Sequence, residues 1–375
     1  MKIRIERDVL ADAVAWTARA LGNPRTGGNP GIGITAAGDK VTFVAYDRES
    51  SAQAEFDAVV EQDGTCVVPG RLLSDITKTL PAAPVVLSLN GTSIDVECGR
   101  SSFSLPTINS ADFPKMSTLP ESIGTITGSE FAEAVAQAHI AAGTNDSLVN
   151  FSGIRLEIKK NTMTMAATDR YRLAIRDVEW TPTISDADTA VLVPASRLND
   201  IAKGLSHCEK VEISMASTGD GSLIGFSGDG RSIATSLLGY EFPPKYRDLI
   251  PPTSPVTAYV ETAALLAALK RVRLVLENNA YVAMQVGDND VKLIAKGLEN
   301  AVATEIVDAA VEGEIERVQF NPNYFIDGLT AVGAPYVRLA FTQSTKPVVI
   351  TGAQEIGGAV NDDYQYLLMP MRANS

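Results

Sequence analysis

The sequence predicts an α+β fold made of three tandem copies of one domain, each with two helices packed on antiparallel sheet. One ground is a repeated unit in which an apolar extended stretch runs into a Pro or Gly-Arg turn and then a short amphipathic helix. It occurs as CVVPGRLLSDITKTL (Cys66 to Leu80), VLVPASRLNDIAKGL (Val191 to Leu205) and QFNPNYFIDGLTAV (Gln319 to Val332). A second ground is spacing, since Pro69, Pro194 and Pro322 are separated by close to one third of the 375 residues. The third is that each third carries another helical stretch ahead of the unit, with alternating strand patterns around both.

The elements follow in order. Lys2 to Glu6 alternate as an edge strand, and Arg7 to Leu21 set Val9, Leu10, Ala13, Val14 and Trp16 at helical spacing. Gly38 to Phe56 reads as a strand pair around a turn, and the Asn90-Gly91 dipeptide between alternating residues is a strong hairpin signal. In the second third, Ser129 to Gly143 is a helix with a Ser N-cap and a Gly stop, and Phe151 to Ile175 is a set of strands around a Lys-Lys-Asn turn. Lys210 to Leu238 is a meander with Gly-Asp turns. In the last third, Glu261 to Leu276 is the helix, Ala280 to Ile306 the strand set and Tyr336 to Ala353 the closing hairpin. Pro-rich connectors at Asn109 to Pro120 and Tyr240 to Pro255 divide the chain into domains 1–118, 119–252 and 253–375.

Composition bounds the function. With 45% hydrophobic and 21% charged residues the chain is globular, and no apolar run reaches the roughly 20 residues that span a bilayer, so no membrane role and a cytoplasmic location are expected. Cys66, Cys98 and Cys208 are odd in number and widely spaced, and read as buried reduced thiols. A net charge of −13 opposes phosphate binding overall but does not say where the charges sit.

Candidates for chemistry are scarce. His139 and His207 are the only histidines and neither has a ligand at metal spacing, so no metal and no cofactor are expected. No dinucleotide fingerprint, P-loop or zinc-protease motif occurs. Asp47 (AYDRES) and Asp169 (ATDRYR) hold equivalent places in the repeat, which points to a shared turn or cap, and Asn361-Asp362-Asp363 reads as a solvated loop before the last strand. Two apolar segments are unexplained by the repeat: the terminal YQYLLMPMR (Tyr364 to Arg372), which must be held by something, and the connector FPPKYRDLIPP (Phe242 to Pro252).

Several motifs together resemble the β subunit of bacterial DNA polymerase III, the sliding clamp family. They are GRLLSDI (Gly70 to Ile76), FSLPT…ADFP (Phe103 to Pro114), ATDRYRLA (Ala167 to Ala174), FP…YR.LIP (Phe242 to Pro251), FNPNYFIDGL (Phe320 to Leu329) and YLLMPMR (Tyr366 to Arg372), in the family's order over the whole chain. The resemblance implies three DNA-clamp domains that dimerise head to tail into a six-domain ring around duplex DNA. It implies a non-catalytic processivity factor that tethers the replicative polymerase by topology.

The same resemblance implies sites. Short clamp-binding peptides of the polymerase catalytic subunit, clamp loader and repair polymerases would enter a groove walled by Thr168, Arg170, Arg172, Leu173, Pro243, Arg247, Leu249, Pro347, Leu367, Leu368, Met369, Pro370, Met371 and Arg372. Sequence-independent DNA contact would come from Arg25, Arg71, Lys78, Asn145, Arg197, Lys203, Lys270, Arg271 and Arg273. The homodimer interface would join Arg100, Phe103 and Leu105 to Leu274, Leu276, Glu299 and Glu305. Two other classes stay open on the residues: a repeat-built hydrolase or nuclease with Asp169, Asp362 and Asp363 as metal ligands, and a monomeric peptide-binding scaffold.

Overall fold

The computed structural model describes residues 1–22, 30–47, 49–109, 113, 119–144, 148–183, 188–215, 223–277 and 281–371, and of Glu299 the backbone alone. The first copy runs β1 (Lys2–Ile5), α1 (Arg7–Thr17), β2 (Gly31–Ala37), β3 (Lys40–Tyr46), β4 (Ser50–Asp57), β5 (Val59–Gln62), β6 (Gly64–Pro69), α2 (Gly70–Thr79), β7 (Val85–Asn90), β8 (Ser93–Cys98) and β9 (Ser101–Pro106). The second repeats that order as β10 (Ser122–Ile126), α3 (Gly128–His139), β11 (Gly153–Lys159), β12 (Thr162–Thr168), β13 (Arg172–Glu179), β14 (Thr181–Pro182), β15 (Asp188–Pro194), α4 (Ala195–Leu205), β16 (Val211–Met215), β17 (Leu223–Gly228) and β18 (Arg231–Ser236).

The third copy is β19 (Val256–Glu261), α5 (Thr262–Val272), β20 (Val282–Val286), β21 (Asp290–Lys296), β22 (Val302–Glu312), β23 (Val318–Phe320), α6 (Pro322–Val332), β24 (Tyr336–Phe341), β25 (Val348–Ala353) and β26 (Val360–Leu368). Here the single strand β22 does the work of β4 plus β5. Its Val302–Asp308 part pairs with β21 and its Ala309–Glu312 part with β19. The first helix of each copy buries equivalent positions, namely Leu10, Ala13 and Val14, then Phe131, Ala134 and Val135, then Leu265, Ala268 and Leu269. The α+β repeat read from the sequence is therefore the fold.

The described residues form two compact units. One (Met1–Phe131, Thr181–Ser185, Asp200–Leu237) holds a five-stranded sheet, β5-β1-β7-β8-β9, and a nine-stranded sheet, β14-β10-β16-β17-β18-β4-β3-β2-β6. The other (Ala132–Trp180, Asp186–Asn199, Leu238–Ser375) holds a twelve-stranded sheet, β15-β11-β12-β13-β26-β25-β24-β19-β22-β21-β20-β23. Each large sheet thus runs from one copy into the next through a single antiparallel junction. In the first, β18 pairs with β4 from Arg231↔Ala54 to Thr235↔Ser50; in the second, β26 pairs with β13 from Tyr364↔Arg176 to Leu368↔Arg172.

The two junctions share one register because both receiving strands start three residues after the same turn. Asp47 Oδ1 accepts the N–H groups of Glu49 and Ser50 at 2.8 and 2.6 Å, and Asp169 Oδ1 accepts those of Tyr171 and Arg172 at 2.9 and 3.0 Å. These Asx-type turns fix where each strand begins. The terminal segment is held by β13 and β25 on its two sides, by the Met369 N–H on the Tyr171 carbonyl (2.9 Å) and by the Met371 N–H on the Gln319 carbonyl (2.7 Å).

Four local expectations need correction. β1 is not an edge, since β5 and β7 flank it. The cap of α3 is Thr127, whose Oγ1 accepts the Glu130 N–H and donates to the Glu130 carboxylate at 2.6 Å; Ser129 already lies in the helix. In the β7–β8 hairpin the two turn residues are Gly91 and Thr92, because Asn90 still pairs with Ser93, and Gly91 supplies the positive φ of 60°. Asp362 and Asp363 lie within β26, not in a loop before it. The connector at 110–112 and 114–118 lies outside the described residues.

Candidate functional site

The pleat of β13 and β26 sorts the residues expected at the groove onto two faces. Residues 173 and 175 of β13 and 367 of β26 lie on the outer face, where Leu173, Ile175 and Leu367 join Ala166, Leu192, Ala340 and Val349 in one apolar cluster. Thr168 pairs with Leu173 and shares that face, and Met369, 40% exposed, continues it beyond Leu367. Arg172 and Leu368 pair with each other on the opposite, helix-covered face. There Arg172 Nε donates to Asp169 Oδ2 at 2.9 Å, Nη1 donates to Asp327 Oδ2 of α6 at 2.7 Å, and the guanidinium lies 4.2 Å over the Tyr324 ring.

Arg172 and Leu368 therefore do not line the groove, because a side-chain period of two separates them from their neighbours. Burial opposes the Arg172 charge, yet Tyr366, Asp327 and Asp169 outweigh it and hold the guanidinium above its ordinary pKa. Its role is to fix α6 and the turn beneath the site, and removing one member of such a buried pair leaves an uncompensated charge.

The connector forms the wall. Phe242 and Tyr246 are buried in the same cluster, meeting edge to face at 5.4 Å, with Leu238 and Ile250 packed beside them. Two polar ties pin them to the sheet. Tyr246 Oη donates to Glu157 Oε2 at 3.1 Å, and Arg247 Nη2 donates to Thr164 Oγ1 (2.9 Å) and Asp177 Oδ1 (2.8 Å). The rim left open consists of Leu249, 54% exposed, Met369, and half-buried Pro243, Pro347, Pro370 and Met371. Arg170 stands exposed at the end of the strand pair with φ 78°, its guanidinium 5.9 Å from both the Phe151 and Tyr171 rings. Arg372 lies outside the described residues.

The sequence reading missed Arg155, Glu157, Tyr246 and Val349. Arg155, Glu157 and Lys159 alternate along β11, a pattern that signals a solvated strand face, and only the docked connector turns that face into a site wall. Glu157 lies in the middle of this array. Burial opposes its charge, but Lys159, Arg155 and Tyr246 prevail and hold the carboxyl below its ordinary value. The equivalent outer face of the β4–β18 junction carries Ser51, Gln53, Ser232 and Ala234 at the matched positions, beside a cavity of 460 Å³ lined by Glu55, Lys210, Glu212, Asp229 and Arg231 among others. Identical backbone pairing thus yields an apolar site at one junction and a polar surface at the other.

The expected DNA contacts divide. Arg71, Lys78, Lys203, Lys270 and Arg273 are exposed on helices or the turn after α5, and Arg197 is half-buried on α4. Lys78 lies 3.6 Å from Asp75. Arg271 is committed elsewhere: its Nε and Nη2 donate to the two Glu305 oxygens at 2.9 and 2.8 Å, so a residue expected at DNA and one expected at the dimer interface form one pair. Arg25 and Asn145 lie outside the described residues. Of the expected interface, Arg100 is exposed on the turn before β9, Phe103 is 37% and Leu274 84% exposed, Leu276 is half-buried, and Leu105 of β9 is fully buried. Val302 and Ile306 on β22 are exposed as well. The side chain of Glu299 lies outside the described residues.

Among the described residues no three His, Cys, Asp or Glu side chains gather as a metal site, and both Asp169 oxygens serve the turn and Arg172. Among them, too, no helix is long and apolar enough to cross a membrane.

Glu157 yields a pH prediction. Because its folded pKa is depressed from 4.5, its contribution is complete above that value and is lost as pH falls through the depressed one. The thermal midpoint of Glu157→Gln should therefore lie below that of the unmodified chain at pH 7, and the gap should close in acid. A gap independent of pH would show that the carboxylate does not hold the connector.

Comparison with known proteins places this architecture. The family models for the N-terminal, central and C-terminal domains of the DNA polymerase III beta subunit match residues 1–117, 125–244 and 247–372. The beta sliding clamp of Streptomyces coelicolor is 41% identical over 374 residues, covering 99% of both chains. That of Micrococcus luteus is 41% identical over 313 residues, covering 83% of this chain and all of the relative. The crystal structure of the Bacillus subtilis sliding clamp superposes with a TM-score of 0.88 at 23% identity, covering 100% of this chain and 99% of the other. The chain belongs to the DNA polymerase III beta subunit family, the beta sliding clamps, and is a non-catalytic component that confers processivity in DNA replication.

Proposed function

We propose that two copies of this chain, each of domains 1–118, 119–252 and 253–375, close head to tail into a six-domain ring by adding β9 of one copy to the Val302–Asp308 part of β22 in the other. The observation that carries this is the register of the two junctions within the chain. In both, the last strand of one copy pairs with the strand that follows the Asx turn, and in both a large residue faces an alanine: Ile233↔Ala52 and Tyr366↔Ala174. The matched residues of the third junction are Phe103 and Ala303. Ile233 and Tyr366 are 1% and 0% exposed, whereas Phe103 is 37% exposed, the difference that a missing cover produces. Among the described residues both edges are free, since β9 ends its sheet and β22 over Val302–Asp308 pairs on one side alone. An edge of this kind is an aggregation hazard until it is paired.

On this reading the ring encircles duplex DNA and slides without reading sequence. Arg71, Lys78, Arg197, Lys203, Lys270 and Arg273 on helices or the turn after α5 supply weak, salt-sensitive phosphate contact, with Arg25 and Asn145 as further candidates. Arg271 is assigned to the interface instead. The outer-face cluster accepts short peptides of the polymerase catalytic subunit, clamp loader and repair polymerases. Its lining is Thr168, Leu173, Leu367 and Met369, with Arg170, Pro243, Arg247, Leu249, Pro347, Pro370 and Met371 at the rim and Arg372 as a further candidate. Apolar peptide side chains would take the place of exposed surface there, while the rim cations fix polar ends. The protein acts in the cytoplasm.

Three experiments test this. Loaded onto nicked circular DNA by a clamp loader and ATP, the protein should be retained until the circle is linearised; equal loss from circles and linear DNA refutes encirclement. The matched register pairs Ser104 with Val302, so the double variant Ser104→Cys/Val302→Cys should form a covalent dimer on mild oxidation. Failure to cross-link, with efficient cross-linking one residue out of register, would rule the pairing out. Leu173→Arg should weaken binding of a polymerase-derived clamp peptide by at least about tenfold, roughly 1.4 kcal/mol, while the dimer persists. Unchanged peptide affinity in isothermal titration would remove the groove assignment.

A further inference from the structure

The pleat that buries Ala52, Ala54 and Ile233 toward the helices turns Gln53, Glu55 and Ser232 to the outer face of the first junction. Polar side chains line up there by direct strand pairing from β4 to β16: Gln53 opposite Ser232, Ser232 opposite Ser227, and Ser227 opposite Glu212. At a strand spacing of about 4.8 Å this row spans roughly 14 Å, the reach of about four residues of an extended peptide. It lies along the 460 Å³ cavity.

The row is unengaged. Trp16 takes the backbone carbonyls of Gln53 and Ser232 from the helix side, and among the described residues no hydrogen bond or ion pair reaches the side chains of Gln53, Ser227, Ser232 or Glu55. The cavity is also short of positive charge. Arg231 turns away to Asp12 and to the Gly204 carbonyl, and Lys210 stands 3.7 Å from Glu212, which leaves the exposed carboxylates Glu55 and Asp229 without an ion pair among the described residues.

The second junction shows what such a place accepts. Asp177 lies three residues beyond Ala174 as Glu55 lies three beyond Ala52, and each faces a threonine on the neighbouring strand, Thr164 or Thr42. Arg247, carried by the connector, donates to both Thr164 Oγ1 (2.9 Å) and Asp177 Oδ1 (2.8 Å). At the first junction the same hydroxyl and carboxylate, Thr42 and Glu55, hold no cation among the described residues.

We propose that the outer face of the first junction is a second peptide site, which takes an extended basic segment of a partner protein. An arginine of that segment lies on Glu55 and Thr42, and its backbone hydrogen-bonds along the row from Gln53 to Glu212. A guanidinium forks onto a carboxylate with strong, directional hydrogen bonds, and the small serines let a backbone approach the sheet. At the second junction Ile175 and the chain's own Arg247 already fill the equivalent places, so the two sites select different segments. All the first-junction residues named lie in one compact unit, and the site does not rest on ring closure.

The test is a fluorescence anisotropy titration of the full-length protein with a labelled short peptide of alternating arginine and serine. Glu55→Lys should weaken binding by at least about tenfold, and so should Ser232→Trp, which fills the cavity, with thermal unfolding confirming that each variant is folded. Glu314→Lys, the same charge change at an exposed residue elsewhere, should leave the affinity unchanged. Equal weakening by Glu314→Lys would reduce the binding to general acidity and overturn the site, as would an affinity indifferent to Glu55→Lys or no saturable binding to the unmodified protein. Spermidine that competes as tightly as the peptide would overturn peptide recognition in favour of a small polyamine.

Discussion

The structure depends on the antiparallel ladder that joins the last strand of one copy to the strand after the Asx turn of another. A β-strand edge must have its N–H and C=O groups paired or solvated, and here the copies solve that demand for one another. β18 on β4 and β26 on β13 turn separate domain sheets into sheets of nine and twelve strands. The start of each receiving strand is fixed by one carboxylate, Asp47 or Asp169, accepting two backbone N–H groups. Register follows from that start, and burial of side chains follows from register.

Because backbone pairing is repeated faithfully, differences in function must come from the side chains that the pairing presents. On the outer face, Ser51, Gln53 and Ala234 at one junction correspond to Leu173, Ile175 and Leu367 at the other. At the second the three side chains are all large and apolar, and the connector residues Phe242 and Tyr246 pack with them in one cluster. On the helix face, Trp16, Gln137 and Arg271, which hold the same position in α1, α3 and α5 counted from each helix start, vary in the same way, from full burial to an exposed ion pair. The clamp thus carries one structural unit with three chemical finishes.

The dominance of positioning groups over reactive ones fits a non-catalytic protein. Arg172 is the clearest case. Its contacts with Asp169, Asp327 and Tyr324 bind turn, strand and α6 together on the helix-covered face, so a residue of the most specific motif serves the scaffold. Glu157 and Arg247 do comparable work for the connector, each satisfying buried or half-buried polar groups that would otherwise cost free energy.

The sequence by itself determined the repeat, the α+β class, the helix cores and the two turn aspartates, because these depend on spacing along the chain and on local backbone chemistry. Leu10, Phe131 and Leu265 are buried where helical periodicity puts them. Only the tertiary structure decided which face of β13 and β26 each motif residue occupies, that Arg271 belongs to Glu305, and that Arg155 and Glu157 border a site. Those outcomes depend on contacts between segments far apart in sequence: a strand's period of two fixes alternation but not which side the connector or helix will cover. Arg172 and Leu173 are adjacent in the chain, and the sheet sends one to the helices and the other to the outer-face cluster.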